Sequence, residues 1–371
     1  MQLSDLIIQR IHHEGPVSFH DFMEMCLYHP ELGYYTSAGD KIGVNGDFYT
    51  TPAITSVLGA VIGRQLEEMW DIAGRNEFTI VEYGAGTGML CRDILGHLQN
   101  NGQFYHKLRY CIIEKSAAMR LTQQKHLPAK VQWIDSIYDI APFTGCVFSN
   151  ELVDNFSIHK VVMRDELMEV FVDYQNEFVE LLKPAAGELT NYLDELDIIL
   201  PKDFQAEINL EATEWMRQIA ECLEKGFVMT IDYGYTSSEL YSDRRSNGTL
   251  LCYHKHTIND QPYINIGAQD ITAHVNFSAL SHWGSKYGLS SCGLISQAAF
   301  LVALGYEDHL SRLLSQQKDK YKAFKQYAFL KHTLLLDMGQ KFKVLIQNKG
   351  VSHSALRCFE MDKRAKHVPM G

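Results

Sequence analysis

The stretch that decides the fold is Val81-Glu82-Tyr83-Gly84-Ala85-Gly86-Thr87-Gly88-Met89-Leu90. An apolar run from Phe78 to Tyr83 enters three alternating glycines, and a helical pattern begins at Met89. Glycine lets a backbone come close to a ligand, and such a turn at the carboxyl edge of the first strand of an open α/β sheet is where nucleotide-like ligands bind. The dinucleotide fingerprint is G-x-G-x-x-G, whereas this turn reads G-x-G-x-G with Met89 in place of the third glycine. It also carries no lysine, so it is not a phosphate loop. A nucleoside ligand without a pyrophosphate fits better.

Working outward, the pattern repeats as strand and helix. Phe78 to Tyr83, Met89 to about Gln99, Leu108 to Ile113 and a helix through Ala117 to His126 read βαβα, which implies a parallel sheet. Val131 to Ile134, Gly145 to Phe148 and Phe227 to Ile231 are three more short apolar runs that extend it, and Lys341 to Ile346 is a late strand. Residues 2 to 75 read as helical. Ser18 with Asp21 opens a short helix, and Thr51 with Pro52 opens a longer one that runs to Gly74. Residues 158 to 182 alternate, with turns at Asp165-Glu166 and Gln175-Asn176, as in an inserted strand meander. A helix over Ile208 to Glu224 closes it, with Gly226 as the glycine just past its end. The expected organisation is a helical N-terminal layer (1–75), a first part of the core (76–157), an insertion (158–225), and a completion (226–371). That last part contains a substrate-side insertion (236–335).

The 371 residues include 34 basic and 45 acidic side chains, a net charge of −11 that argues against non-specific adhesion to nucleic acid or anionic lipid and favours a cationic partner. The Lys- and Tyr-bearing stretch Lys318 to Lys331 reads as a solvated helix face, so no nucleic-acid partner is expected. Eight separated cysteines without a C-x-x-C pair read as free thiols in a reducing compartment. No apolar stretch approaches the ~20 residues of a membrane span, and no secretory leader is apparent. A soluble, cytoplasmic protein is expected, with no membrane partner. The histidine pairs lack the spacing of metal ligands, so no metal site is expected either.

S-adenosylmethionine is a ligand of the required kind, with an adenosine, no phosphate, and a sulfonium that prefers nearby carboxylates. Carboxylates recur at successive strand ends: Glu82 in the first, Glu114 at the end of the second and Asp135 just after the third. Glu114 suits the two ribose hydroxyls, and Asp135-Ser136 suits the adenine amino group.

Beyond the turn, the sequence resembles the MidA and NDUFAF-seven type of class I methyltransferase, whose mitochondrial members assist respiratory complex I assembly. The resemblance spans most of the chain. It is carried by Gly15-Pro16-Val17-Ser18, Met25-Cys26-Leu27-Tyr28-His29-Pro30, Gly33-Tyr34-Tyr35 and Gly46-Asp47-Phe48-Tyr49-Thr50-Thr51-Pro52. Ser149-Asn150-Glu151-Leu152-Val153-Asp154, Ile231-Asp232-Tyr233-Gly234, Gly248-Thr249-Leu250, the stretch Asp270 to Phe277 and the stretch Met338 to Leu345 add to it. The family pattern differs at Ala53 and Ala60, where glutamates are usual, at Leu152-Val153, where an aromatic pair is usual, and at Asn276, where an aspartate is common.

The resemblance implies an α/β fold: a Rossmann-like, mostly parallel sheet of seven strands with a helical N-terminal layer and inserted α+β segments. It implies S-adenosylmethionine as cofactor and, as in mitochondrial members, symmetric dimethylation of an arginine in a protein client, a respiratory complex I-type subunit being one such client. An arginine acceptor is cationic and its lone pair delocalised, so carboxylates are needed to orient one nitrogen and receive its proton. Glu151 and Asp154 after the fourth strand are the catalytic candidates, with Asp232 as a third. Cofactor contacts are expected from Glu82, Gly84, Ala85, Gly86, Gly88, Glu114, Asp135, Ser136 and Asn150, and from Asp47 and Thr50 in a lid segment. Two other readings stay open. One is an assembly factor that binds cofactor and client with little or no turnover; the other is a small-molecule methyltransferase.

Overall fold

The computed structural model describes residues 2–37, 55–315, 319–351 and 356–360. The chain opens with helices α1 (Leu3–Glu14) and α2 (Phe19–Tyr28). Ser18 Oγ accepts from the Asp21 N–H at 3.1 Å, the cap their spacing predicts. Helix α3 (Val57–Ala73) ends at Gly74 in the left-handed region. The start assigned to Thr51 and Pro52 lies outside the described residues.

The α/β core follows. Strands β1 (Phe78–Tyr83), β2 (Leu108–Ile113), β3 (Val131–Ile134) and β4 (Phe143–Asn150) are parallel, with α4 (Met89–Leu98) and α5 (Ala117–Gln124) as crossovers. The insertion contributes the antiparallel strands β5 (His159–Met163), β6 (Leu167–Tyr174) and β7 (Phe178–Pro184), helix α6 (Gly187–Glu195), strand β8 (Gln205–Ile208) and helix α7 (Leu210–Cys222). Strand β9 (Leu223–Tyr235) returns to the core. A small sheet of β10 (Leu251–His254), β11 (Thr257–Asn259) and β12 (Asp270–Thr272) precedes helix α8 (Phe277–Lys286), strand β13 (Ser290–Ser296) and the last strand, β14 (Phe342–Lys349).

The main sheet has the order β13-β14-β9-β4-β1-β2-β3, and only β14 runs against the other six. Its middle strands are mostly apolar and buried because both faces are covered. On β1 and β4, Ile80, Cys146 and Phe148 face a cluster built with α3 and α4, while Val81 and Val147 face one built with α7 and α8. Order reverses between β1 and β4, which opens the crevice at the carboxyl ends of the two strands.

Three expectations are corrected. Gly226 does not cap a helix but lies within β9, opposite Gly145 of β4; a Cβ there would meet the Gly145 carbonyl oxygen at 1.8 Å. Strand β13, an edge of the core sheet, lies inside the 236–335 stretch read as an insertion. The N-terminal helices do not form one layer either. α3 packs on the core sheet, whereas α1 and α2 share a separate cluster with residues of the meander and of the small sheet.

Candidate active site

The glycine turn lies at the mouth of that crevice. Gly84, Gly86 and Gly88 have φ of +64°, +52° and +80°, a region that glycine enters without strain. A Cβ at Gly84 would lie 2.7 Å from Leu152 Cδ1, so the turn also needs glycine to pass the loop after β4. Gln123 of α5 is fully buried; its side-chain amide donates to the Gly86 carbonyl at 2.7 Å and to Glu114 Oε2 at 3.1 Å. The other Glu114 oxygen accepts from the Ser116 N–H at 2.9 Å. Glu114 is thus held beside the turn, and burial raises its pKa. Glu82 is buried and accepts from the Tyr110 hydroxyl at 2.7 Å, with its pKa pushed up to about 8 by burial. Open glycine backbone flanked by recessed carboxylates fits a nucleoside with a cationic amino-acid arm.

Across the crevice, β4 ends in Asn150 and the chain turns sharply at Glu151, whose φ is +54°. That conformation costs a non-glycine residue on the order of 1–2 kcal/mol and has to be enforced by its surroundings. The Glu151 N–H donates to the Ile231 carbonyl at 3.0 Å, and Asn150 Nδ2 donates to Glu151 Oε1 at 3.1 Å. Asp154, three residues on, is buried and accepts from Asn155 Nδ2 at 3.1 Å. Burial, then the neighbouring Asp154, pushes Glu151 up to about 8; burial pushes Asp154 up to about 7.

Asp232 plays a different part from the one expected of it. It is fully buried and does not line the cavity. Its Oδ2 accepts from the N–H groups of Leu152, Val153 and Asp154 at 3.2, 2.9 and 3.4 Å, and its Oδ1 accepts from the Tyr233 N–H at 2.9 Å. Asp232 is the clamp that holds the turn carrying Glu151 and Asp154. Burial and then Asp154 raise its pKa, but four amide donors stabilise the ionised form. Those four donors make Asp232 the better placed of the two aspartates to hold a charge.

Asp135 and Ser136 also depart from expectation, since neither lines the cavity. Asp135 is exposed and paired with Arg120 at 2.8 Å, and Ser136 Oγ caps the turn Ile137–Ile140 through the Tyr138 N–H. Asp47, Thr50 and Ala53 lie outside the described residues. Ala60, on α3, is not among the lining residues.

The cavity measures about 1830 Å³. Glu82, Gly84, Ala85, Gly86, Glu114, Asn150, Glu151 and Asp154 all line it; Gly88 sits behind, at the start of α4. Four of its other walls were not picked out as site residues from the sequence: Tyr28 and Tyr35 at and just after α2, Trp215 on α7, and Asp270 on β12. Tyr28, Tyr35 and Asp270 fall inside the stretches that carry the family resemblance, the one signal that could have found them. Among the described residues the lining holds ten carboxylates and two lysines. Among the described residues no group of three or more candidate metal ligands occurs, and no helix is long and apolar enough to cross a membrane.

A sheet of this order, with a glycine turn and recessed carboxylates at its reversal point, defines a nucleoside-binding α/β enzyme of the methyltransferase class. Residues 61–295 match the model of a family of S-adenosyl-L-methionine-dependent methyltransferases, and the chain belongs to that family. A crystal structure of a Burkholderia thailandensis protein bound to S-adenosyl-homocysteine superposes with a TM-score of 0.87, at 29% identity, over 96% of this chain and 94% of that one. Relatives named protein arginine methyltransferase NDUFAF7 or its homolog, mitochondrial, include one from Caenorhabditis elegans at 27% identity, over 92% of this chain and 85% of its own. The human one is 24% identical, over 91% and 81%. These relatives are mitochondrial proteins, which overturns the cytoplasmic expectation. S-adenosylmethionine is the cofactor.

Proposed function

We propose that the protein transfers methyl groups from S-adenosylmethionine to an arginine side chain of a protein client. The observation that carries this reading is the pair Glu151 and Asp154, buried on one turn in the cavity that begins at the glycine turn. Without a cation both groups are driven toward their protonated forms. A guanidinium entering between them restores the charged pair and is itself oriented by it.

Bound on the glycine turn, the cofactor supplies an electrophilic methyl group on a sulfonium whose departure returns the electron pair to sulfur. Glu151 fixes one terminal nitrogen of the guanidinium and, by accepting its hydrogen bond, polarises that N–H so that electron density builds at the attacking atom. As the N–C bond forms, that nitrogen loses a proton, and Glu151 receives it. Asp154 holds a second nitrogen. Asp232 keeps the turn in place, and Trp215, packed edge-on against Tyr83 at 5.6 Å, helps wall the site from water.

The names of the curated relatives support a protein arginine as acceptor. A client of the respiratory complex I type is the finer expectation that the family resemblance adds. The test is Glu151→Gln: S-adenosylhomocysteine should bind as in the wild type, while turnover on arginine substrates falls roughly 10²- to 10⁴-fold, the usual worth of a general base. Unchanged turnover would refute the assignment.

A further inference from the structure

One rim of the cavity is formed by the helix Lys320–His332, the π-helix Thr333–Asp337 and the short helix Met338–Lys341, none of which the proposed chemistry uses. Leu330 and Leu334 anchor this segment in the cluster built with α3 and α4. Its outer side is apolar yet open to solvent: Phe329 is 58% and Leu336 67% exposed. Among the described residues, four of the eleven large apolar side chains that face solvent lie between Tyr321 and Leu336. Single apolar groups on a surface are ordinary, but a set of them gathered at a cavity mouth marks an interaction site, and π-helical turns concentrate at functional sites.

The rim is continuous with the catalytic turn. Phe329, Thr333 and Lys341 line the cavity, and so do Phe342 and Tyr233. Phe342 opens β14 opposite Tyr233 of β9, with their ring centroids 5.6 Å apart, and Tyr233 follows Asp232, the clamp of the turn that carries Glu151. Strands β4, β9 and β14 are neighbours. The start of β14 therefore stands about 10 Å from the end of β4, roughly three residues of extended chain.

Charge changes sign along the same path. The cavity lining is acidic, whereas the sequence from Lys320 to Lys341 has five lysines and one aspartate in a chain of net charge −11. Lys341 pairs with Asp337 at 2.7 Å and Lys331 with Glu307 at 3.8 Å. Lys322 and Lys325 are exposed, and among the described residues neither has a carboxylate partner.

We infer that this rim is the docking surface for the client, with an apolar side chain roughly two to four residues from the target arginine seated on Phe329 and Leu336, and an acidic residue beyond it at Lys322 and Lys325. This rests on the protein-arginine reading above, to which it adds the residues that flank the arginine. A lipid surface suits the rim less well, because its lysines and aromatics do not segregate to opposite faces of the helix.

The full-length protein, saturated with S-adenosylhomocysteine, would be titrated with three glycine- and serine-based peptides. The first carries one arginine, a leucine three residues to either side and a glutamate beyond each; the second has serine for leucine, and the third alanine for arginine. Wild type should bind the first roughly 5- to 50-fold more tightly than the second, the worth of a partly buried leucine. Phe329→Ser and Leu336→Ser, at exposed positions where truncation opens no core, should each erase most of that preference. Joint replacement of Lys322 and Lys325 by glutamate should weaken the first peptide several-fold. S-adenosylhomocysteine affinity, measured alone, should stay as in the wild type and so report an intact fold. Equal affinity for the first two peptides, or a preference that survives the variants, overturns the docking surface; if the alanine peptide then binds more weakly, the arginine reading stands. An alanine peptide that binds as well as the first overturns the arginine reading, while a leucine preference lost in the variants still upholds the surface. No binding by any of the three overturns both. Sedimentation and vesicles of anionic phospholipid test the other occupants: a dimer, or vesicle binding, that Leu336→Ser abolishes without affecting peptide affinity overturns the client assignment.

Discussion

Replacement of Asp232 by asparagine should disable the enzyme without touching the ligands. The carboxylate accepts four backbone N–H groups, three of them from the turn that carries Glu151 and Asp154. Asparagine has one acceptor oxygen. If it faces the three turn amides, its NH2 faces the Tyr233 N–H, donor against donor; turned the other way, it strands the three. At least one buried charge-assisted hydrogen bond is lost, worth about 1.5–3 kcal/mol, and the remaining ones weaken as the charge goes. Relief from burying a carboxylate offsets part of this, so a net destabilisation of about 2–3 kcal/mol is expected. The functional effect should be larger. Glu151 sits at φ +54° only while the turn is held, and its relaxation withdraws the proposed proton acceptor. Turnover should fall on the order of 10²-fold, because small misplacements of a reacting group cost that much. S-adenosylhomocysteine affinity, set at the glycine turn, should change less than threefold. Denaturant melts, calorimetric titration and initial rates read these three quantities. A variant with wild-type rate and stability would refute the clamp.

Further expectations follow from the same geometry. Glu151 must be ionised to accept a proton and has a pKa of about 8 in the free protein, so kcat/KM should rise with pH up to that region; a flat profile from pH 6 to 9 would count against it as base. Stability of the ligand-free protein should move the other way. Glu82 and Glu151 are raised from 4.5 to about 8, so the folded state holds protons that the unfolded state has released. Their contribution is full below about pH 4.5 and is lost as pH rises through 8; between pH 6 and 8.5 the melting temperature should drop, and Glu82→Gln should flatten that slope. Gly84→Ala places a Cβ 2.7 Å from Leu152 Cδ1 at φ +64°, costing about 1–2 kcal/mol from the backbone alone; cofactor affinity should fall roughly 5- to 30-fold by titration.

How much of this was legible in sequence depended on locality. Strands β1, β2 and β3 match their expected limits because each is a short, mostly apolar run bounded by charge or glycine. Strand β9 proved longer than Phe227 to Ile231, since Glu224 and Lys225 interrupt the apolar run although the backbone continues through Gly226 in pairing with β4. Strand β13 was invisible because an edge strand that opens with Ser290, Ser291, Cys292 and Gly293 has neither the alternation nor the hydrophobic length that betrays a strand. In the site, Glu114 and Glu151 could be read from their places after strands. The wall of Tyr28, Tyr35 and Asp270 could not, for Asp270 lies more than two hundred residues from the two tyrosines and meets them through the packing of α2 against β12. Asp232 was found but miscast, because sequence shows a carboxylate at a strand end and not whether it faces a ligand or its own backbone. Asp135 misled for the complementary reason: it has the right position after β3, yet its side chain turns out to Arg120.

The measurement that reaches the central claim most directly is the chemical identity of the methylated residue. The purified protein would be incubated with methyl-labelled S-adenosylmethionine and an arginine-bearing protein mixture, and the labelled protein hydrolysed to amino acids for separation. Label recovered as N-methylated arginine, and absent when Glu151→Gln replaces the wild type, is the predicted result. Label in another residue, in small molecules alone, or undiminished in the variant would contradict it.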